Sequence, residues 1–196
     1  MTVDQLLSST STFANDDGHL NIPTIAQRLD VAAINLANYC TALTDERFFY
    51  APPGKWSAAL QVKHLIIATN MAKLPFILPK PIVRWVGGKA KKASRPYEEL
   101  VETYKTKLAQ GGKASGKYIP KPLATNYGKQ RLLTDFTTAM HQLGLSLRRR
   151  WNDQQPDQYT VSHPLLGKIT LRELCYFTIY HAEHHLGTIK CLKFHD

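Results

Sequence analysis

Apolar residues recur at spacings of three and four along most of the chain, the helical period, with no convincing strand-like alternation. From Asn21 to about Thr44, Ile25, Leu29, Ala32, Leu36, Tyr39 and Leu43 trace one stripe, with Asn21 as N-cap and Pro23 in the first turn. Pro52, Pro53 and Gly54 break the chain. Ser57 then caps a second helix whose inward positions are Leu60, His64, Ile67, Met71 and Leu74, and whose end is limited by Pro75 and Pro79. Pro96 opens a short helix with Tyr97, Leu100, Tyr104 and Leu108 on one face. Residues 111–127, rich in Gly and Pro, read as a long loop. A helix over Gly128–Asn152 buries Leu133, Phe136, Met140, Leu143, Leu147 and Trp151. After a turn at Gly167, Thr170 and Glu173 form a T-x-x-E capping box that opens the last helix, whose stripe holds Leu171, Leu174, Thr178, His181, His185 and Leu192.

Four long amphipathic helices and no internal repeat predict an all-α fold, an antiparallel four-helix bundle. Its 196 residues fit one domain, 1–196, with an elaborated basic connection of loop and short helix, 80–127, between the second and third long helices.

Charge sharpens that picture. The formal net charge is +10, from 25 Lys+Arg against 15 Asp+Glu. Residues 80–131 carry Lys80, Arg84, Lys89, Lys91, Lys92, Arg95, Lys105, Lys107, Lys113, Lys117, Lys121, Lys129 and Arg131 against only Glu98, Glu99 and Glu102, so the whole excess lies there. No apolar run reaches the roughly 18 to 20 residues that span a bilayer, and Met1-Thr-Val-Asp-Gln5 lacks a signal-peptide plan. A cytoplasmic protein with no membrane association is expected. Cys40, Cys175 and Cys191 form no C-x-x-C pair and are expected reduced and buried.

Three of the eight histidines, His64, His181 and His185, fall on inward faces. His181 and His185 are four apart, which on a helix places both rings on one side, close enough to reach one ion at about 2.0 to 2.1 Å. His64, on a facing helix, supplies a third imidazole. Three neutral nitrogens leave coordination positions open, as catalytic metal sites do, and zinc, nickel or iron would suit them. Without a common partner, three polar rings inside one bundle would be costly.

Trp56-Ser57 followed by His64, and His181-Ala-Glu-His184-His185-Leu-Gly187 on the last helix, make the motifs W-S-x6-H and H-x-x-H-H-x-G. With them the chain, from about the first helix to its end, resembles the DinB/YfiT-like superfamily. The run His163-Pro164-Leu-Leu-Gly167-Lys-Ile-Thr170 resembles one branch of it. The resemblance implies a four-helix bundle in which His64, His181 and His185 bind a divalent cation, nickel or zinc. It also implies a reaction class, metal-dependent hydrolysis or S-transfer with a low-molecular-weight thiol, a small-molecule substrate, and a homodimer as is common among relatives. Leu60 departs from a common Glu of the family, and Leu186 and Thr188 from an Arg and a Gln that often follow the paired histidines.

Other signals are weaker. Gly111–Lys117, GGKASGK, has phosphate-loop spacing, but Tyr118 stands where Ser or Thr should hold magnesium and no strand precedes it, so a solvated loop is expected. His184 points about 100° away from His185 and reads as an outer residue, Glu183 as opposite the ligand face, and Cys175 as core. His163 and His141 could approach a substrate mouth, but turn and surface positions are the favoured reading. The basic segment could steer an anionic substrate or hold a thiol's carboxylates. A non-catalytic helical module recognising an acidic partner or nucleic acid through it is the second reading, although no nucleic-acid-binding motif accompanies it.

Overall fold

The structure, a computed structural model, describes residues 19–114, 116–123 and 127–193. The N-terminal start, Met1–Gln5, and Ser115 of the GGKASGK run lie outside those residues. Its helices are α1 (Ile22–Ala42), α2 (Asp45–Phe49), α3 (Ala58–Ile77), α4 (Lys80–Gly87), α5 (Tyr97–Ala109), α6 (Lys129–Arg150) and α7 (Leu171–Lys190). Strands β1 (Thr160–His163) and β2 (Gly167–Thr170) form one antiparallel hairpin.

The fold is all-α in its architecture, and the caps are where the residue types put them. Asn21 accepts from the Thr24 N–H at 2.9 Å and Ser57 from that of Leu60 at 3.1 Å. The capping box closes reciprocally: Thr170 Oγ1 accepts from Glu173 N at 3.1 Å, and Glu173 Oε2 from Thr170 N at 2.8 Å. Glu173 also accepts from Arg95 Nε at 2.6 Å, so the same carboxylate ties the connecting segment to the start of α7.

Helices α1, α3, α6 and α7 form the bundle, with α1 and α3 each packed on α6 and α7. Side-chain pairs give the directions. Lys129 reaches the Leu43 carbonyl, and Gly144 abuts Ala26, so α6 runs against α1. Thr69 meets Met140 while Trp151 Nε1 donates to the Phe76 carbonyl, so α3 and α6 run parallel. Tyr176 lies by Leu20 and Lys190 over the Tyr39 ring, so α1 and α7 are parallel too. His64 facing His181 and Gln61 facing His185 make α3 and α7 antiparallel. The helices thus run up, down, down, up, with α3 and α6 parallel and α1 and α7 parallel, an order that the hydrophobic pattern alone does not determine. Since α3 and α6 point the same way, the segment between them must climb back along the bundle, which explains why that connection is long.

Further departures concern local structure. The hairpin was not expected, because its four-residue strands are too short to show an alternating pattern. Nor was α4, which follows Pro79, or the single-turn α2. Helix α3 continues through Pro75 to Ile77, although this proline has no N–H to donate to the carbonyl of Met71 and its ring crowds that carbonyl. Its core face is Ala58, Ala59, Val62, Leu65, Ile66, Thr69, Ala72 and Phe76; of the expected stripe His64 is buried, while Leu60, Ile67 and Met71 are half-buried and Leu74 is exposed. That helix is apolar nearly all round, so periodicity alone does not select the core face. On the other helices the predicted stripes are the buried ones.

Candidate metal centre

His64 from α3 and His181 and His185 from α7 meet inside the bundle, each at most 9% exposed. His181 Nε2 lies 3.1 Å from His64 Nε2 and 3.2 Å from His185 Nε2, and the three ligating atoms all lie within 4.8 Å of one another.

The outward nitrogens decide the tautomers. His64 Nδ1 lies 2.7 Å from the Tyr118 carbonyl oxygen, which can only accept, so Nδ1 carries the proton and Nε2 a lone pair. His185 Nδ1 lies 2.9 Å from Gln61 Oε1, and the Gln61 amide is oriented by its Nε2 donating to the Trp56 carbonyl at 3.4 Å. His185 Nε2 is therefore also a lone pair. His181 Nε2 could donate one proton, but not along both short contacts at once. Lone pairs converging this closely repel unless a cation sits among them. Nitrogens about 2.05 Å from one ion and 3.1 to 3.2 Å apart subtend about 100° at it, between octahedral and tetrahedral values. The donor set fits a divalent cation.

Burial holds His181 and His185 well below the usual histidine range, and the neighbouring imidazoles push further in that direction. Burial also lowers His64, partly offset by its bond to Tyr118. All three are thus neutral imidazoles, the ligating form.

A cavity of about 1020 Å³ opens from these rings. Trp56, Met71, Tyr104 and Phe177 contribute apolar walls, and Lys55, Lys113 and Lys117 contribute cations. Among the described residues, those lining it include no Asp or Glu. Burial raises the Tyr104 phenol to about 12, so it remains a neutral donor. The stripe expected to face the core of α3 thus turns partly to this space, with Met71 and Leu74 on its wall.

His163 was expected as a turn residue and is instead a wall of the cavity. Its Nδ1 accepts from the backbone N–H of Leu165 at 3.2 Å and of Leu166 at 3.1 Å, its ring centroid lies 4.2 Å from that of Phe177, and burial lowers its pKa to about 4. His184 is half-buried on the wall, outside the three-histidine group. Glu183 is exposed and accepts from the Tyr97 hydroxyl at 3.1 Å, and His141 sits at the surface beside Asp30. Cys175 is core, its thiol raised to about 12 by burial, and Cys40 is buried. Cys191, expected buried, is exposed at the cavity rim just past the end of α7 at Lys190. In the GGKASGK run Gly112, Lys113, Ala114 and Lys117 border the cavity, and a turn of 3-10 helix spans Gly116–Tyr118.

Sequence reasoning missed Gln61 and Tyr118, and held the cavity position of His163 only as its second reading. Gln61, three residues before His64 on one helix, shares its side and was in principle legible. Tyr118 lies 54 residues from His64 and carried no signal.

The sequence model of the DinB superfamily matches residues 28–189, more than half of the chain and all three histidines. No curated protein and no solved structure matches.

Proposed function

The chain belongs to the DinB superfamily, and on that premise we propose that it is a metal-dependent enzyme in which His64, His181 and His185 hold one divalent cation, nickel or zinc. The reaction is hydrolysis or thiol transfer on a small anionic molecule bound in the cavity. The convergence of the three Nε2 atoms, with Tyr118 and Gln61 holding two of them as lone pairs, is the observation that carries this reading.

Bound there, the cation would supply Lewis acidity towards water, a thiol or a substrate oxygen. The chain's own residues do the rest. Three protein ligands and an adjoining cavity are the plan of an open site, whereas structural sites are closed by four. Tyr118 and Gln61 orient two ligands and raise their basicity. Phe177 and Tyr104, packed at 5.1 Å between centroids, keep one wall dry. Lys55, Lys113 and Lys117, with no carboxylate beside them among the described lining residues, favour an anion. A low-molecular-weight thiol with carboxylates would satisfy those lysines.

Metal analysis of the purified protein tests the first step. About one zinc or nickel ion per chain is expected in the wild type, and almost none in the folded double variant His181→Ala/His185→Ala. Equal metal content in both would defeat the assignment.

A further inference from the structure

Helix α4 presents an unusual surface. Ile82, Trp85 and Val86, at helical spacings of three and four, are 44%, 86% and 73% exposed, while Val83, about 100° round the helix from Ile82, is 3% exposed. Leu74, Ile77 and Leu78 at the end of α3 extend the apolar area, each 39% exposed. This face is held out on a firm base. Thr160 Oγ1 donates to the Gly87 carbonyl at 2.7 Å and Thr160 N to that of Gly88 at 3.2 Å, which fastens α4 to the hairpin.

The stretch of chain that carries the patch is basic. Between Leu78 and Tyr97 stand Lys80, Arg84, Lys89, Lys91, Lys92 and Arg95, with no Asp or Glu. Lys80 is engaged with Gln155 and Trp151, and Arg95 with Glu173. Arg84, Lys89, Lys91 and Lys92 are exposed, and none forms an ion pair among the described residues. Leu78, Ile82 and Val86 also line the cavity, so its mouth opens at this face.

We propose that the α4 face docks on an anionic lipid surface, with Trp85, Val86 and Ile82 at the headgroup boundary and the mouth of the cavity turned towards the bilayer. An exposed indole beside aliphatic side chains, on a helix followed directly by the exposed Lys89, Lys91 and Lys92, is the composition of an interfacial anchor. No helix among the described residues is long and apolar enough to cross a membrane, and interfacial docking needs none. A nucleic acid would answer the cations but leave Ile82 and Val86 without a partner. Docking a second copy on the same face would set Arg84 and the three lysines against their own kind across the symmetry axis. The proposal stands apart from the metal assignment.

The test is co-sedimentation of the full chain with vesicles of phosphatidylcholine alone or mixed with phosphatidylglycerol. Indole emission is recorded against a Trp85→Phe variant, which isolates Trp85 from the less exposed Trp56 and Trp151. The expected result is binding to the anionic vesicles that weakens with salt, a blue shift lost in Trp85→Phe, and the same affinity in chelator. Lys89→Glu/Lys91→Glu/Lys92→Glu should bind at least about 100-fold more weakly, at roughly fivefold per charge. Trp85→Ser/Val86→Ser should bind about 10-fold more weakly. Both variants alter exposed side chains, and circular dichroism verifies their fold. Absence of vesicle binding, or unchanged binding by the two folded variants, would overturn the proposal. So would a dimer abolished by Trp85→Ser, or duplex DNA bound in preference to vesicles.

Discussion

Replacing Gln61 with Leu separates the metal reading from a merely structural cluster. Gln61 is 2% exposed and accepts the Nδ1 proton of His185 at 2.9 Å, holding that ring in the tautomer whose Nε2 can ligate. Removing such a partner typically costs 10- to 100-fold in metal affinity, about 1.4 to 2.7 kcal/mol. The metal-free protein has an escape. Its His185 can shift the proton to Nε2 and donate to His181 Nε2, 3.2 Å away, so no buried N–H is stranded. The other bond lost, to the Trp56 carbonyl, is long at 3.4 Å. Unfolding by guanidinium in chelator should therefore change by under about 1 kcal/mol, while zinc affinity, measured by competition with a chromophoric chelator, falls by one to two orders of magnitude. Gln61→Glu, which keeps an acceptor at the same reach, should restore affinity to the wild-type value or above it. Zinc affinity within twofold of wild type in folded Gln61→Leu would refute the reasoning.

His163 makes stability depend on pH. Its folded pKa, about 4, lies below the unfolded 6.5, so the contribution is complete above pH 6.5 and is lost as pH falls towards 4, by at most about 3 kcal/mol. His163→Asn, whose amide oxygen can accept from Leu165 and Leu166, should lessen the slope in denaturant titrations run in chelator, the remainder coming from the lowered His64, His181 and His185. A Cβ on Gly87 would stand 1.6 Å from the Thr160 carbonyl oxygen, so Gly87→Ala must push α4 off the hairpin. A loss of about 1 to 3 kcal/mol in thermal or chemical unfolding is expected. Thr170→Ala removes one half of the capping box and should cost about 0.5 to 2 kcal/mol by the same measurement, with metal content unchanged.

Much of the bundle was legible because its signals are local. Asn21, Ser57 and the Thr170–Glu173 box act within a few residues, and the stripes of α1, α6 and α7 repeat within single helices. The pair His181 and His185 was legible for the same reason, since one turn of helix sets their spacing. Helix α3 resisted, because apolar residues on all sides leave no polar stripe to mark which side meets the core. His163 misled because a histidine before Pro164 looks like a turn, and its burial depends on Phe177 on another element.

Residue order alone determined that this chain makes four long helices, where they begin, and that three imidazoles are available to a common interior. Tertiary packing decided the parallel run of α3 and α6, the return of the connecting segment that brings the Tyr118 carbonyl to His64, and the apolar face of α4 left outside. The division follows from range. Helix formation and capping are settled by neighbours within about one turn, whereas which surfaces meet is settled by contacts between residues tens of positions apart, and those contacts leave no mark in any short stretch of sequence.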